Sequence, residues 1–142
     1  MTLLDANILL YAYNVDAPQH QAARRWIEDL FSGSEWVGLP WITLWGFLRI
    51  STNPRVYPRP LTAGEAFGIV HGWLALDKVV VVQPGPRHAE LLERLATVNR
   101  ATGPLLTDAV LAALALEHGA VLASTDLDFS RFRELQWLNP LE

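Results

Sequence analysis

Cysteine is absent from all 142 residues. That excludes a disulfide scaffold, a thiol nucleophile and a cysteine-type zinc site, and it suits a reducing cytosol. Lysine occurs once, at Lys78. No run of about 18 apolar residues is present, so no membrane span is expected. The longest candidate, Ala109 to Leu116, is bounded by Asp108, Glu117 and His118. The opening Met-Thr-Leu-Leu-Asp lacks the basic start and cleavage site of a signal peptide, so the expected location is the cytoplasm. No acid occurs between Glu35 and Glu65, a stretch that holds Arg49, Arg55 and Arg59. The net charge of −4 is not the footprint of a protein that holds nucleic acid by bulk charge. A local basic rim around an acidic pocket remains compatible with it.

Hydrophobic residues make up 51% of the chain and charged residues 18%. This balance provides a substantial core and argues against disorder. The length predicts a single domain, residues 1–142.

Patterning along the chain alternates short apolar runs with helical periodicity. Thr2 to Leu4 is a predicted strand, too apolar to alternate, as when both faces are covered. A short helix follows over Ala6 to Tyr13. Asp16 is the expected N-cap of the next helix, with Pro18 in its first turn, running to about Phe31 and ended by Ser32-Gly33-Ser34. Trp36 to Leu39 reads as a strand and Trp41 to Ile50 as a helix begun by Pro40. Thr62 with Glu65 forms the pattern of a capping box for a helix to about Leu76. Val79 to Val82 is a strand, followed by a helix to about Val98, a turn at Thr102-Gly103-Pro104 and a very apolar helix over Leu106 to Glu117. Ala120 to Ala123 is a strand, and Leu135 to Leu138 a final one. Alternating strands and helices predict an α/β fold with a mainly parallel central sheet of four to five strands, flanked by helices on both faces.

The aspartates fall at the junctions of this pattern. Asp5 follows the first strand, Asp108 opens the alanine-rich helix, and Asp126 and Asp128 follow the strand Ala120 to Ala123. In an open parallel sheet such junctions converge at the carboxyl ends of the strands, where ligands bind. Carboxylates gathered there repel one another unless a cation joins them. All-oxygen ligands suit hard Mg²⁺ or Mn²⁺. Each acid also has a plainer use: Asp5 as a helix cap, Asp108 as an acid near a helix start with Thr107 as its cap, Asp126 and Asp128 as turn residues. Asp126 lies nearer the strand end and is the stronger ligand candidate of that pair.

Four sequence segments together resemble one family. Leu4-Asp5-Ala6-Asn7, Leu48-Arg49-Ile50, Thr107-Asp108-Ala109 and Thr125-Asp126-Leu127-Asp128-Phe129 match, in order and spacing over nearly the whole chain, the PIN-domain proteins of the VapC type, ribonuclease toxins of type II toxin–antitoxin pairs. The stretch Phe47 to Val56 resembles an actinobacterial subgroup. The resemblance implies a PIN-like three-layer sandwich and an acidic site binding one or two Mg²⁺ or Mn²⁺ ions that hydrolyse RNA phosphodiesters. It carries the catalytic role to Asp5, Asp108 and Asp126 and leaves Asp128 as a secondary metal ligand. Asn7, Thr125 and Arg49 are expected to support the site. The implied partners are a VapB-type antitoxin, an RNA substrate and a second copy in a homodimer, with DNA reached only through the antitoxin and no membrane.

One departure stands out. The family's glutamate three residues before Arg49 is Gly46 here, and the same helix offers no other acid. An impaired fold acting mainly through antitoxin or RNA binding is therefore the alternative reading. A phosphoryl-accepting receiver needs an acidic pair beside its acceptor and a late lysine, and the chain has neither in place. Six tryptophans are many for this length; core or subunit packing is their expected use, RNA stacking a less frequent one. Exposed apolar surface on the helices Pro18 to Phe31 and Trp41 to Ile50 would suit a partner. The histidines at 20, 71, 88 and 118 share no metal-ligand spacing.

Overall fold

Leu3 and Leu4, adjacent in the first strand, are both completely buried, each facing a different apolar layer. This is the signature of a central strand covered on both faces. The computed structural model describes residues 1–142. The strands are β1 (Thr2–Leu4), β2 (Val37–Pro40), β3 (Val79–Val82), β4 (Val121–Ala123) and β5 (Trp137–Leu138). They form one sheet in the order β3-β2-β1-β4-β5, and every neighbouring pair is parallel. The expected mainly parallel sheet is thus wholly parallel, with five strands.

The helices are α1 (Ala6–Tyr13), α2 (His20–Ser32), α3 (Trp41–Ser51), α4 (Ala63–Leu74), α5 (His88–Val98) and α6 (Pro104–Glu117). Leu4, Val37 and Leu39 pack with residues of α1 to α4 on one face. Leu3, Val82 and Leu122 pack with α5, α6 and the 3₁₀ turn Leu127–Arg131 on the other. The result is the expected three-layer sandwich.

Chain order determines where a crevice opens. The chain builds outward from β1 to β2 to β3, then returns to place β4 on the opposite side of β1. Connections leave β1 and β4 toward opposite faces, so the crevice at their carboxyl ends is the topological switch point.

Several boundaries differ from the sequence-based expectation. Asp16 does not cap α2, which starts at His20. Asn14 instead organises a turn: its carbonyl accepts from Ala17 N at 3.0 Å and its side-chain oxygen from Asp16 N at 3.2 Å. β2 is shifted one residue onward to include Pro40. β4 starts at Val121, and β5 is only Trp137–Leu138. α6 begins at Pro104, two residues earlier than expected, because Pro is well suited to a first helical position. The capping box of Thr62 and Glu65 is present, with bonds of 3.1 and 3.0 Å.

Gly38 lies at the sheet centre. A Cβ there would meet Val82 Cγ2 at 2.7 Å and Leu3 Cγ at 3.2 Å. Only glycine lets these side chains close over β2. Gly38→Ala is expected to destabilise the protein by about 1–3 kcal/mol through overpacking, read as a lower urea midpoint at unchanged slope.

Candidate active site

Asp5 is the first residue beyond β1, and its backbone N–H donates to Ala123 O at 3.0 Å, tying the ends of β1 and β4 together. Its carboxylate caps α1, accepting from Ala6 N at 2.7 Å. The other oxygen accepts from the hydroxyl of Ser124 at 2.7 Å. Ser124 is fully buried and is the hub of the crevice. Its hydroxyl oxygen also accepts from Asn7 Nδ2 at 3.1 Å and from Asp126 N at 3.0 Å. One hydroxyl therefore fixes a side chain from α1, the acid after β1 and the turn after β4.

Asp126 continues the arrangement from the other side. It precedes the 3₁₀ turn and accepts from Asp128 N at 2.9 Å. Asp128 and Asp126 are thereby folded back onto α6. Carboxylate oxygens of Asp108, Asp126 and Asp128 all lie within 4.8 Å of one another. Asp108 is reached from the second turn of α6, not from its start, since the helix begins at Pro104. Neither a dipole role nor Thr107 as its cap applies there. Ala109, Ala112 and Ala113 are completely buried and bring this helix close to the sheet.

The electrostatics follow from this crowding. Burial first, then the charges of Asp126, Asp5 and Asp128, push the Asp108 carboxyl up from 3.8 to about 6, with the Arg131 guanidinium opposing. Burial also raises Asp5, and Asp126 adds to it, against the hydrogen bonds from Ser124 and Ala6. Like charges in one pocket disfavour their own ionisation.

A divalent cation fits this arrangement. Three carboxylates converge, the donor set is entirely oxygen, and Asn7 Oδ1 is buried beside them without a hydrogen-bond partner. An orphaned buried acceptor calls for a donor, and a water held beside a cation is a suitable one. Asp108, Asp126 and Asp128 form the close group, and Asp5 stands beside it within electrostatic reach of Asp108 and Asp126. Asp128, expected to be secondary, is as close to the group as the other two.

Of the remaining expected residues, Asn7 joins the site and Thr125 and Arg49 do not. Asn7 lies inside the network, not at the surface. Thr125 makes no side-chain hydrogen bond; Ser124, one residue earlier, does the work assigned to it. Arg49 is exposed on α3 and does not join the acids. Gly46 faces the start of α1: a Cβ there would lie 3.3 Å from the Cβ of Ala6, the residue after Asp5. The position therefore borders the crevice without supplying a ligand. Sequence reading missed three contributors. Ser124 had the signal of a small hydroxyl directly after the last core strand. Thr43, buried on α3, donates to Leu4 O at 2.7 Å and pins α3 to the end of β1. Arg131 lies three residues after Asp128, its Nη2 4.0 Å from Asp128 Oδ1.

The PIN-domain family model matches residues 2–135 of this chain. This chain belongs to the PIN-domain family, in its VapC branch. It is 41% identical over 140 residues to ribonuclease VapC37 of Mycobacterium tuberculosis, covering 99% of this chain and 97% of that protein. Among solved structures, VapBC-1 from nontypeable Haemophilus influenzae matches with a TM-score of 0.71 at 18% identity, over 99% of this chain and 98% of that one. VapBC2 from Rickettsia felis, bound to a DNA fragment from its promoter, matches with a TM-score of 0.69 at 17% identity, over 97% of both chains. The structures share the PIN fold, and the relatives place the chain among VapC proteins.

The pH dependence of the metal-free protein follows from Asp108. Its carboxyl is raised in the fold, so the folded state binds more protons than the unfolded chain between about 3.8 and about 6. The stability that it contributes when protonated is complete below that window and lost above it. The melting temperature in chelator is expected to fall across this range, and Asp108→Asn to flatten the fall. Divalent metal should raise the melting temperature most above pH 6. In Ser124→Ala, loss of the hub should weaken metal binding about 10–100-fold, measured by calorimetry.

Proposed function

We propose that this VapC-branch protein hydrolyses RNA phosphodiesters, using Mg²⁺ or Mn²⁺ held by Asp108, Asp126 and Asp128 with Asp5 beside them. The observation that carries the reading is the close approach of three carboxylates at the switch-point crevice, beside an orphaned Asn7 oxygen. When bound, a divalent cation supplies a nucleophilic water at neutral pH and neutralises charge on the phosphate. The chain's own residues do the rest. Asp5 and Asp126 hold position through the Ser124 hub, and Asn7 Oδ1 is free to accept a hydrogen bond from a water in the crevice. The crevice opens at the carboxyl ends of β1 and β4, where a single strand or loop of RNA can reach it.

The partners follow the relatives. A VapB-type antitoxin and a second copy of this chain are the proposed partners, with DNA met only through the antitoxin. VapBC assemblies share this fold, one of them on promoter DNA. The surface for such partners is narrower than the sequence suggested. No large apolar residue of α2 is strongly exposed, because Ala23 and Ile27 are buried and Trp26, Leu30 and Phe31 pack against the core. On α3, Trp41 and Trp45 are exposed and stacked on each other at 6.3 Å. No helix is long and apolar enough to cross a membrane, and a cytoplasmic site of action fits the proposed RNA substrate.

Gly46 favours a second reading, a PIN fold with impaired chemistry that acts through antitoxin or RNA binding. Both readings meet one experiment: antitoxin-free protein, Mg²⁺ or Mn²⁺, and a panel of structured RNAs. Site-specific cleavage abolished by chelator and lowered about 100-fold or more in Asp108→Asn and Asp5→Asn is expected. Metal binding without cleavage would select the second reading. In that event Gly46→Glu, combined with Ala6→Gly to open the contact at 3.3 Å, should restore the rate.

A further inference from the structure

We propose that Arg131 seats a phosphate of the bound RNA, one nucleotide step away from the acids, in a cleft that Arg133 flanks; the inference rests on the ribonuclease reading. The cleft has a volume of about 440 Å³ and lies between α5 and the segment after the 3₁₀ turn. Its lining includes Arg94, Arg131 and Arg133 against the single carboxylate of Glu134. Glu134 is already committed to Arg94, whose Nη1 donates to it at 2.7 Å. Arg133 is left without an acidic partner in the cleft, and the acid nearest Arg131, Asp128, is not among the cleft's lining residues.

Arg131 is placed at the boundary between the two regions. One side of its guanidinium faces the acids, with Nη2 4.0 Å from Asp128 Oδ1, at the far limit of an ion pair. The same residue lines the cleft. Its Nε–H is buried and has no acceptor. A buried charged donor without a partner is costly, and this one belongs to a planar fork suited to bidentate capture of an oxyanion. An oxyanion arriving through the cleft would satisfy Nε and draw the fork away from Asp128.

Phosphate fits better than a peptide carboxylate for a positional reason. Arg131 borders both the cleft and the acidic crevice, so a chain lying against the acids can reach the cleft across it. A phosphodiester chain presents an anion at every step and can lie across both regions. Its scissile phosphate would lie at the cation held by the acids and its neighbour on Arg131. Phosphate contacts of this kind position a strand and do not read its sequence.

The test is binding of a short single-stranded RNA by fluorescence anisotropy in Ca²⁺, across a salt series, with cleavage in Mg²⁺ measured alongside. Arg131→Ala is expected to weaken binding several-fold and to lower the salt slope by about 0.7, the loss of one phosphate contact. Arg131→Lys should recover the slope but only part of the affinity, because the fork is gone. Arg133→Ala should lower the slope with a smaller effect on affinity. Arg24→Ala, on α2 and paired with Glu28, is the control expected to change neither. Mg²⁺ affinity in Arg131→Ala should be equal or tighter, since a cation beside the acids has been removed; this separates lost phosphate binding from a collapsed site. Unchanged RNA affinity and slope in Arg131→Ala, with the parent binding and cleaving normally, would overturn the proposal and leave the ribonuclease reading standing. Competition by an acidic peptide, dependent on Arg131 while RNA affinity is not, would assign the cleft to a protein and overturn it as well. A parent that neither binds nor cleaves any RNA would remove the reading on which the proposal rests.

Discussion

Like charge confined to one crevice opposes folding, and here four aspartates gather where the connections leaving β1 and β4 part. The backbone and Ser124 hold them there. Asp5 is tied to Ala123 through its N–H, to Ala6 through one oxygen and to Ser124 through the other. Asp126 is tied to Ser124 and Asp128 to Asp126. Each bond favours a position that repulsion would otherwise open. The raised carboxyls of Asp5 and Asp108 measure the repulsion and burial that remain. A crevice arranged this way gains most from a divalent cation, whose binding relieves the stress that its own ligands create.

The surrounding elements are organised around the same constraint. α6 approaches the sheet on alanines, so Asp108 projects from a rigid support. α3 is fastened at Thr43 to the last carbonyl of β1 and passes α1 at Gly46, where no side chain intervenes. The close passage explains how a glycine can occupy the position of the missing acid without loosening the fold. Opposite the acids, Arg131 supplies a single positive charge that both tempers Asp108 and borders the basic cleft. Acidic crevice and basic cleft lie on either side of Arg131, a local separation of negative from positive charge. That local separation is invisible in a net charge of −4.

Much of the fold was legible in the residues. The apolar runs at Thr2 to Leu4 and Val79 to Val82 became strands as read, and the Thr62 and Glu65 pattern became a capping box. These signals are local: a short apolar run between turn residues reads as a strand, and a cap needs only its own helix. The misread boundaries had non-local or competing causes. Asn14 captured the turn that Asp16 was expected to lead, and Pro104 drew the start of α6 back. The exposure of α2 was misjudged because helical spacing shows which residues share a face but not how deeply that face is covered.

The sequence by itself determined the α/β alternation, the family, and which acids stand at strand and helix ends. These depend on period, composition and motif order, all readable along a line. Only the tertiary structure decided that Asp128 joins the close trio, that Ser124 and not Thr125 binds the network, and that Arg131 faces both acids and cleft. Those relations join residues up to 119 positions apart, as Ser124 and Asp5 are. A hydroxyl becomes a hub only when chain return brings β4 beside β1, and no local pattern records that encounter.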